Sequence, residues 1–433
     1  LREGWHKATI GTLISSGAIQ VHKDGNHGAN YPRVDDFGTD GLPFLTAKSI
    51  SDWTIDYQGA PRLSREKAKT FKFGFVEGGD VLLSHNATVG RVAIVPEGQE
   101  TAVIGTSLTQ FRVDRSRILP EFLALYFSSR EFQEQLSFVM AQTTRNQVPI
   151  TEQRKLPIQL PELGAQQAIV DVAFGLIDKI ELNRKMNATL EAMARALFRD
   201  WFVDFGPTRA KMEGRPPYIS PDLWSLFPNR LDAEGKPEGW EVRSVYDFAN
   251  VVYGAPFASK QFNTDSAGIP LIRIRDLATH EPGVWTEEVH PKGHLIEPGD
   301  IVVGMDGEFR LHVWKGAPAW LNQRVCHFEP RPGVPTAFLA EALIEPLAFF
   351  ERGKVGTTVI HLGKGDIDTF RLLHPGTELL SAFGEIARSL IDATVKNATE
   401  SRTLAQTRDL LLPRLMSGEL RVADINSEEA EHA

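Results

Sequence analysis

The chain is written twice, so whatever it folds into must serve two segments of one sequence. "EGWHKATIGTLI" (3–14) is answered by "EGWEVRSVYDFA" (238–249), and "GLPFLTAKSI" (41–50) by "GIPLIRIRDL" (268–277). "FVEGGDVLLSHNATVGRVAIV" (75–95) is answered by "LIEPGDIVVGMDGEFRLHVW" (295–314), and "QTTRNQVPI" (142–150) by "GTTVIHLGK" (356–364). "LIDKIELNRKMNATLEAMARALF" (176–198) is answered by "LIDATVKNATESRTLAQTRDLLL" (390–412). The offset falls from 235 to 227 to 220, then holds at 214 from Thr143 to Phe198. Matches that keep their order while losing a few residues mark a duplicated unit; shared composition would not keep the order.

Each copy has two parts. The first is a run of short apolar segments such as "DVLLS", "RVAIV" and "DIVVG", broken by Gly and Pro, which predicts a β-rich globule with several turns. The second is a long helix: Ala165 to Phe202 contains no proline and a single glycine, Gly175, enough for roughly 55 Å of helix. The expected class is α/β (α+β). The expected organisation is a globule over 1–160, a long helix over 161–205, a Pro/Gly-rich linker over 206–239, a second globule over 240–375, a second long helix with its closing motif over 376–423, and an acidic tail over 424–433 without fixed structure. Pro413 has no N–H to give the ladder, so the second helix is expected to stop or kink near Leu412. Gly418 suits a positive-φ cap after it.

Both helices carry a heptad seam. In the first it reads Ile169, Ala173, Leu176, Ile180, Asn183, Asn187, Leu190, Ala194, Leu197; a shift of 214 gives Phe383, Ala387, Leu390, Thr394, Asn397, Ser401, Leu404, Arg408, Leu411. The steps alternate four and three, and the middle of each seam is polar. Either each helix docks on its own globule or the two pair. An Asn facing an aliphatic side chain would leave a buried amide unpaired, so the polar centres favour pairing in one register. With Asn183 and Asn397 near the crossing, the expected pair is antiparallel.

Composition and motifs narrow the chemistry. No run of 18 apolar residues occurs, so no membrane span is expected. No basic-then-apolar leader is evident, although a chain starting at Leu1 leaves its true start open. A single cysteine, Cys326, fits a reducing cytoplasm and reads as a small buried residue. The net charge of −9 disfavours a nucleic-acid binder, but phosphate binding depends on local field. No Gly-x4-Gly-Lys-Ser/Thr loop is present. "RPPYIS" (215–220) carries Arg215 where an adenine methyltransferase loop needs an acceptor. No His/Cys set has metal-ligand spacing. Asp222, Glu234 and Lys236 fit the loose pattern of a Mg²⁺-dependent nuclease, but in a Pro/Gly stretch rather than on paired strands.

The doubled globule, the doubled helix, "GRVAIV" after a Gly-Asp turn, "LFRDWFVDFGPTRAKMEG" closing the first helix and "LLLPRLMSGEL" closing the second together resemble the specificity subunit of a type I restriction–modification enzyme. The resemblance covers nearly the whole chain, and the two helix-closing motifs are its most specific part. It implies a non-catalytic cytoplasmic subunit. Each globule would be a target recognition domain reading one half of a bipartite double-stranded DNA site, and the helices would form an antiparallel coiled coil setting the spacer. Two methyltransferase (modification) subunits would dock on the helices and bring in the restriction subunits. S-adenosylmethionine, ATP and Mg²⁺ would belong to those partners, leaving no cofactor in this chain. A coiled-coil scaffold that binds helical partners without DNA is the alternative reading; the nuclease is a third.

Base edges are read by Arg or Lys, Asn or Gln, and Ser or Thr, usually from loops on a rigid frame. In the first globule the candidates are Lys48 and Ser49; His85, Asn86, Thr88 and Arg91; and Thr143, Thr144, Arg145, Asn146 and Gln147. In the second they are Arg273 and Arg275; Asp306, Glu308 and Arg310; and Thr357, Thr358, His361 and Lys364. For any one of them an ordinary turn role reads as well, and phosphate contact is commoner than base contact for an isolated cation. The loops differ between copies, Asn86-Ala87-Thr88 against Asp306-Gly307-Glu308, which predicts an asymmetric site.

Overall fold

The repeat is carried into the main sheets of the computed structural model, which describes residues 4–28, 31–51, 53–142, 146–307, 309–353 and 361–422. Among the described residues the short pair Ile50–Ser51 with Thr54–Ile55 occurs only in the first copy. The chain forms two compact units, 1–178 with 405–433 and 179–404, so the division falls inside both long helices.

In the first unit a four-stranded sheet has the order Val92–Ile94, Val81–Ser84, Leu108–Val113, Ile19–Asp24. A five-stranded sheet has the order Phe37–Gly38, Arg62–Leu63, Leu42–Leu45, Ala102–Ile104, Phe75–Val76. The strand near the start, Trp5–Thr9, pairs antiparallel with Pro157–Pro161, just before the first long helix. Helices Pro120–Ser128 and Arg130–Ala141 cover the four-stranded sheet's core, where Phe111, Phe122, Tyr126, Phe127 and Phe132 are all buried.

The second unit repeats this order. Its four-stranded sheet runs Leu311–Val313, Ile301–Gly304, Val325–Pro330, Ala249–Tyr253, and its five-stranded sheet Phe262–Asn263, Trp285–Thr286, Ile269–Ile272, Ala319–Leu321, Leu295–Ile296. Glu241–Ser244 pairs with Arg371–His374 before the second long helix. The one parallel pairing of each five-stranded sheet falls at the matching strands, Leu42–Leu45 with Ala102–Ile104 and Ile269–Ile272 with Ala319–Leu321. A single helix, Thr336–Gly353, stands in place of the first unit's two.

The long helices are Leu163–Phe202 and Thr377–Met416, each of 40 residues and displaced by the repeat's final offset. Their ends are core material. Phe198, Trp201 and Phe202 enter the second unit's core against Phe227, Trp240, Phe338 and Phe383, with ring centroids 5.0–6.3 Å apart across these pairs. Leu415 and Met416 are buried in the first unit's core with Leu160, Ile169, Val170 and Ala173. Of the stop or kink expected near Leu412, the stop is corrected: the helix runs through Pro413 to Met416. One ladder bond is lost at the proline, but burying two large apolar side chains contributes about 1.5–3 kcal/mol each. The end is then closed by Gly418 (φ 66°), with Gly418 N–H donating to Leu415 O and Leu420 N–H to Arg414 O, both at 3.0 Å.

The Pro/Gly-rich stretch between the copies is built in rather than slack. It holds helices Gly206–Met212 and Pro221–Leu226, with Pro207, Thr208, Ala210 and Phe227 buried. No helix among the described residues is long and apolar enough to cross a membrane.

Candidate nucleic-acid interface

The predicted loops converge in each globule on one frame. The strand Val81–Ser84 leads into Asn86, which forms an antiparallel bridge with Gln147; Ile301–Gly304 leads into Asp306, which bridges His361. Both turns pass next through a left-handed residue, Ala87 (φ 64°) and Gly307 (φ 77°). In the first loop Ala87 N–H donates to Asn146 O at 3.2 Å, and Asn146 Nδ2 returns a bond to Ala87 O at 2.8 Å. In the second, His361 Nδ1 lies 2.7 Å from Asp306 Oδ1, and Arg324 Nε lies 3.3 Å from Asp306 Oδ2. Thr88, Asn146, Arg310 and His361 are exposed. Thr143, Thr144, Arg145, Glu308, Thr357 and Thr358 lie outside the described residues.

Several candidates hold the frame. His85 is buried, and its Nδ1 is hydrogen-bonded to Thr109 Oγ1 at 2.8 Å. Thr109 in turn accepts from Gln153 Nε2 at 3.0 Å, and Gln153 Oε1 bonds His22 Nε2 at 3.2 Å. Burial pushes both His22 and His85 down to about 4, so both rings are neutral at pH 7. His85 therefore supports the loop from beneath. Arg91 Nη1 donates to Ala47 O at 3.0 Å and Ile50 O at 2.8 Å, which pins the neighbouring turn. Ser49 is buried and its hydroxyl accepts from Thr46 N–H at 3.2 Å. Arg273 pairs with buried Asp276 through Nε at 3.0 Å. Lys364 pairs with Asp368 at 2.8 Å and lies over the Tyr246 ring, 5.6 Å from its centroid. Lys48 and Arg275 occupy equivalent places on one-turn helices, Ala47–Ser49 and Ile274–Asp276, and are exposed.

Asp80, which sequence reasoning passed over, anchors the turn before the first loop. It is buried and accepts from Glu77 N–H at 2.8 Å, Gln110 Nε2 at 2.7 Å and Arg112 Nε at 2.7 Å. Its repeat equivalent Asp300 accepts from Glu297 N–H at 2.8 Å and lies 3.7 Å from the buried ring of His327. The matching Gly-Asp turns at 79–80 and 299–300 were the available signal.

Every predicted seam residue is buried or half-buried. In the second unit Asn183 Nδ2 donates to Glu400 Oε2 at 2.8 Å and reaches Asn397 O and Ser401 Oγ at 3.3 Å. Asn187 Nδ2 donates to Thr394 O at 3.1 Å, and Asn397 Nδ2 to Asn187 Oδ1 at 2.9 Å. Lys179 lies 3.3 Å from Glu400, and Asn183 together with Lys179 holds that carboxyl below its ordinary range. As the first helix advances from 183 to 187, its partners on the second fall back toward 394, so these segments run antiparallel. An amide knot of this kind fixes register, because a slip would bury unpaired amides at about 1–3 kcal/mol each.

On another face the first helix exposes Leu182 (52%), Met186 (44%) and Met193 (53%). Their repeat equivalents are Lys396, Glu400 and Thr407. The sequence reading missed this stripe because it followed only the seam.

Of the nuclease-like residues, Lys236 pairs with Glu234 and with the neighbouring Asp232 in a turn, while Asp222 lies in the first turn of helix Pro221–Leu226. Among the described residues no group of three or more His, Cys, Asp or Glu is placed to hold a metal ion.

A family model described as "Type I restriction modification DNA specificity domain" matches residues 5–192 and 237–379. The chain is 27% identical over 403 residues to the type I restriction enzyme HindI specificity subunit of Haemophilus influenzae, covering 80% of this chain and 87% of that one. It is 23% identical over 413 residues to the MjaIX specificity subunit of Methanocaldococcus jannaschii, covering 91% and 90%. Among solved structures, the type I restriction–modification S subunit from M. genitalium superposes with a TM-score of 0.55 at 15% identity, over 95% of this chain and 96% of that chain, and shares the fold.

Proposed function

Because the chain belongs to the type I restriction–modification DNA specificity family, whose specificity subunits are the non-catalytic recognition component of their systems, we propose that each of its globules reads one half of an asymmetric, bipartite DNA site. The observation that carries this is one frame with two contents. The Asn86–Gln147 and Asp306–His361 bridges sit at equivalent places and pass through equivalent left-handed turns, yet present different side chains. A loop that is fixed in position and varied in chemistry suits base readout.

The proposed base and phosphate contacts are the exposed Lys48, Thr88 and Asn146 in the first globule and Arg275, Arg310 and His361 in the second, with the candidates at 143–145, 308 and 357–358 kept on sequence grounds alone. Ser49, His85, Arg91, Arg273 and Lys364 are assigned to positioning. The amide knot makes the paired helices a ruler, so their length sets the unread spacer. The exposed Leu182, Met186 and Met193 favour docking of modification subunits on the first helix, two per complex, with restriction subunits joining through them. Those partners would bring S-adenosylmethionine, ATP and Mg²⁺, and the complex would work on cytoplasmic DNA.

Base-resolved methylation mapping of the chain expressed with its methyltransferase partner tests the reading. Methylation is expected only where two different half-sites stand at one fixed separation. Methylation without a bipartite pattern would overturn it. A heptad inserted beside Asn187 is expected to change the separation or abolish methylation, and an unchanged site would remove the ruler.

A further inference from the structure

Two loop tips adopt the left-handed conformation without glycine: Trp53 (φ 68°) and His280 (φ 59°). They are equivalent by the repeat offset of 227 that joins 41–50 to 268–277. A side chain in this conformation costs about 1–2 kcal/mol, so each tip needs something to hold it, and such outliers gather where geometry matters to function.

In the first unit Trp53 bridges Ala93 on the four-stranded sheet, and its ring stands edge-on to Phe174 of the first long helix, with centroids 6.1 Å apart at 82°. In the second unit His280 N–H donates to Asp276 O at 2.9 Å, and its Nδ1 accepts Lys315 N–H at 3.3 Å. Its ring lies 5.3 Å from Trp314 and 5.8 Å from His312. Lys315 is then gripped from both helices: Nζ pairs with Glu191 of the first, and its carbonyl accepts from Arg402 Nη1 of the second. The next residue, Gly316, has no room for a side chain, since a Cβ would fall 2.2 Å from the Trp314 ring and 2.5 Å from His280 O. One globule is thus braced on its helix by aromatic contact, the other by charge.

We propose that Trp53 and the Glu191–Lys315–Arg402 bridge are positioning residues that fix the orientation of each globule on the helices, and so set how strictly the spacer length is read. This rests on the bipartite reading.

The test uses the complete complex with its methyltransferase subunits and S-adenosylmethionine, on duplexes with the cognate spacer and with one base pair more or fewer. Glu191→Lys is expected to lower the preference for the cognate spacer by about fivefold, the scale of a partly exposed ion pair, with sequence preference at each half-site kept. Adding Lys315→Glu should restore it. In the wild type, raising salt should erode spacer preference while Trp53→Leu erodes it at every salt concentration. Unchanged preference in Glu191→Lys, or wild-type preference indifferent to salt, overturns the proposal. A wild-type complex with no spacer preference would instead remove the bipartite reading itself.

Discussion

Beneath the two sets of loops lie the same strands with different chemistry. The first globule places His22, His85, Thr109 and Gln153 there, buried and joined by hydrogen bonds. At the equivalent places the second has Val251, Met305, Cys326 and Ile367, which pack into its hydrophobic core. Both sets hold up the same bridge, Asn86–Gln147 or Asp306–His361. A duplicated frame therefore keeps its backbone while exchanging a polar support for an apolar one. The two supports fail differently. The apolar set tolerates loss of one contact in proportion to the volume removed, whereas the polar set is sound only while every member is paired.

Acid separates the two supports most. In the unfolded chain His22 and His85 take up protons as pH falls through the ordinary histidine value of 6.5, while burial holds them neutral in the fold down to about 4. The unfolded state binds more protons over that window, so stability is lost as pH falls from about 6.5 to 4. Transplanting the apolar set (His22→Val, His85→Met, Thr109→Cys, Gln153→Ile) removes those two sites. Its stability relative to wild type should rise by on the order of 4 kcal/mol between pH 7 and pH 5, read from urea denaturation at both pH values. A constant difference would show that the two rings are hydrated.

Gln153 alone gives a smaller break. It is fully buried, and its amide joins His22, Thr109 and the Val148 carbonyl. Gln153→Ile leaves those three without it and should cost about 2–3 kcal/mol, with faster hydrogen exchange at Ala87, whose N–H bonds Asn146 O. Full restoration by the remaining three apolar substitutions would confirm that the supports are alternatives.

How much of this could be read beforehand follows from the physics of each element. The repeat and the seam depend on order and spacing, which a sequence displays directly, so the seam positions of Asn183, Asn187 and Asn397 were legible, whereas the pairing of Asn187 with Asn397 and of Asn183 with Glu400 was not. His85 was not. A histidine between a strand and a turn has the same local sequence whether its ring meets solvent or Thr109 from a distant strand, and only the tertiary pairing decides. Arg91 is similar, since the carbonyls it holds lie 41 and 44 residues away. The continuation past Pro413 was not legible, because its neighbours, Leu415 and Met416, are held by a core far away in sequence.

Lys48 and Arg275 bring the comparison to the surface, where the smallest effect is expected. They are repeat equivalents, each the middle residue of a three-residue helical turn, and both are exposed. The frame is shared, but the heads differ: an ammonium is a point charge suited to phosphate, and a guanidinium can grip two acceptors on one guanine edge. Lys48→Ala should therefore weaken binding by the complete complex by at most about 1 kcal/mol, evenly across sequences, and reduce the slope of log affinity against log salt by about one. If each globule reads one half-site as proposed, Arg275→Ala should instead relax preference at a single position of the half assigned to the second globule, leaving the other untouched. Methylation rates on a library randomised in each half-site, with salt titrations on the cognate duplex, separate the two outcomes. Identical behaviour of the two variants would mean that both positions serve only to hold the backbone, and that the difference between the globules lies wholly in the loops beyond the bridges.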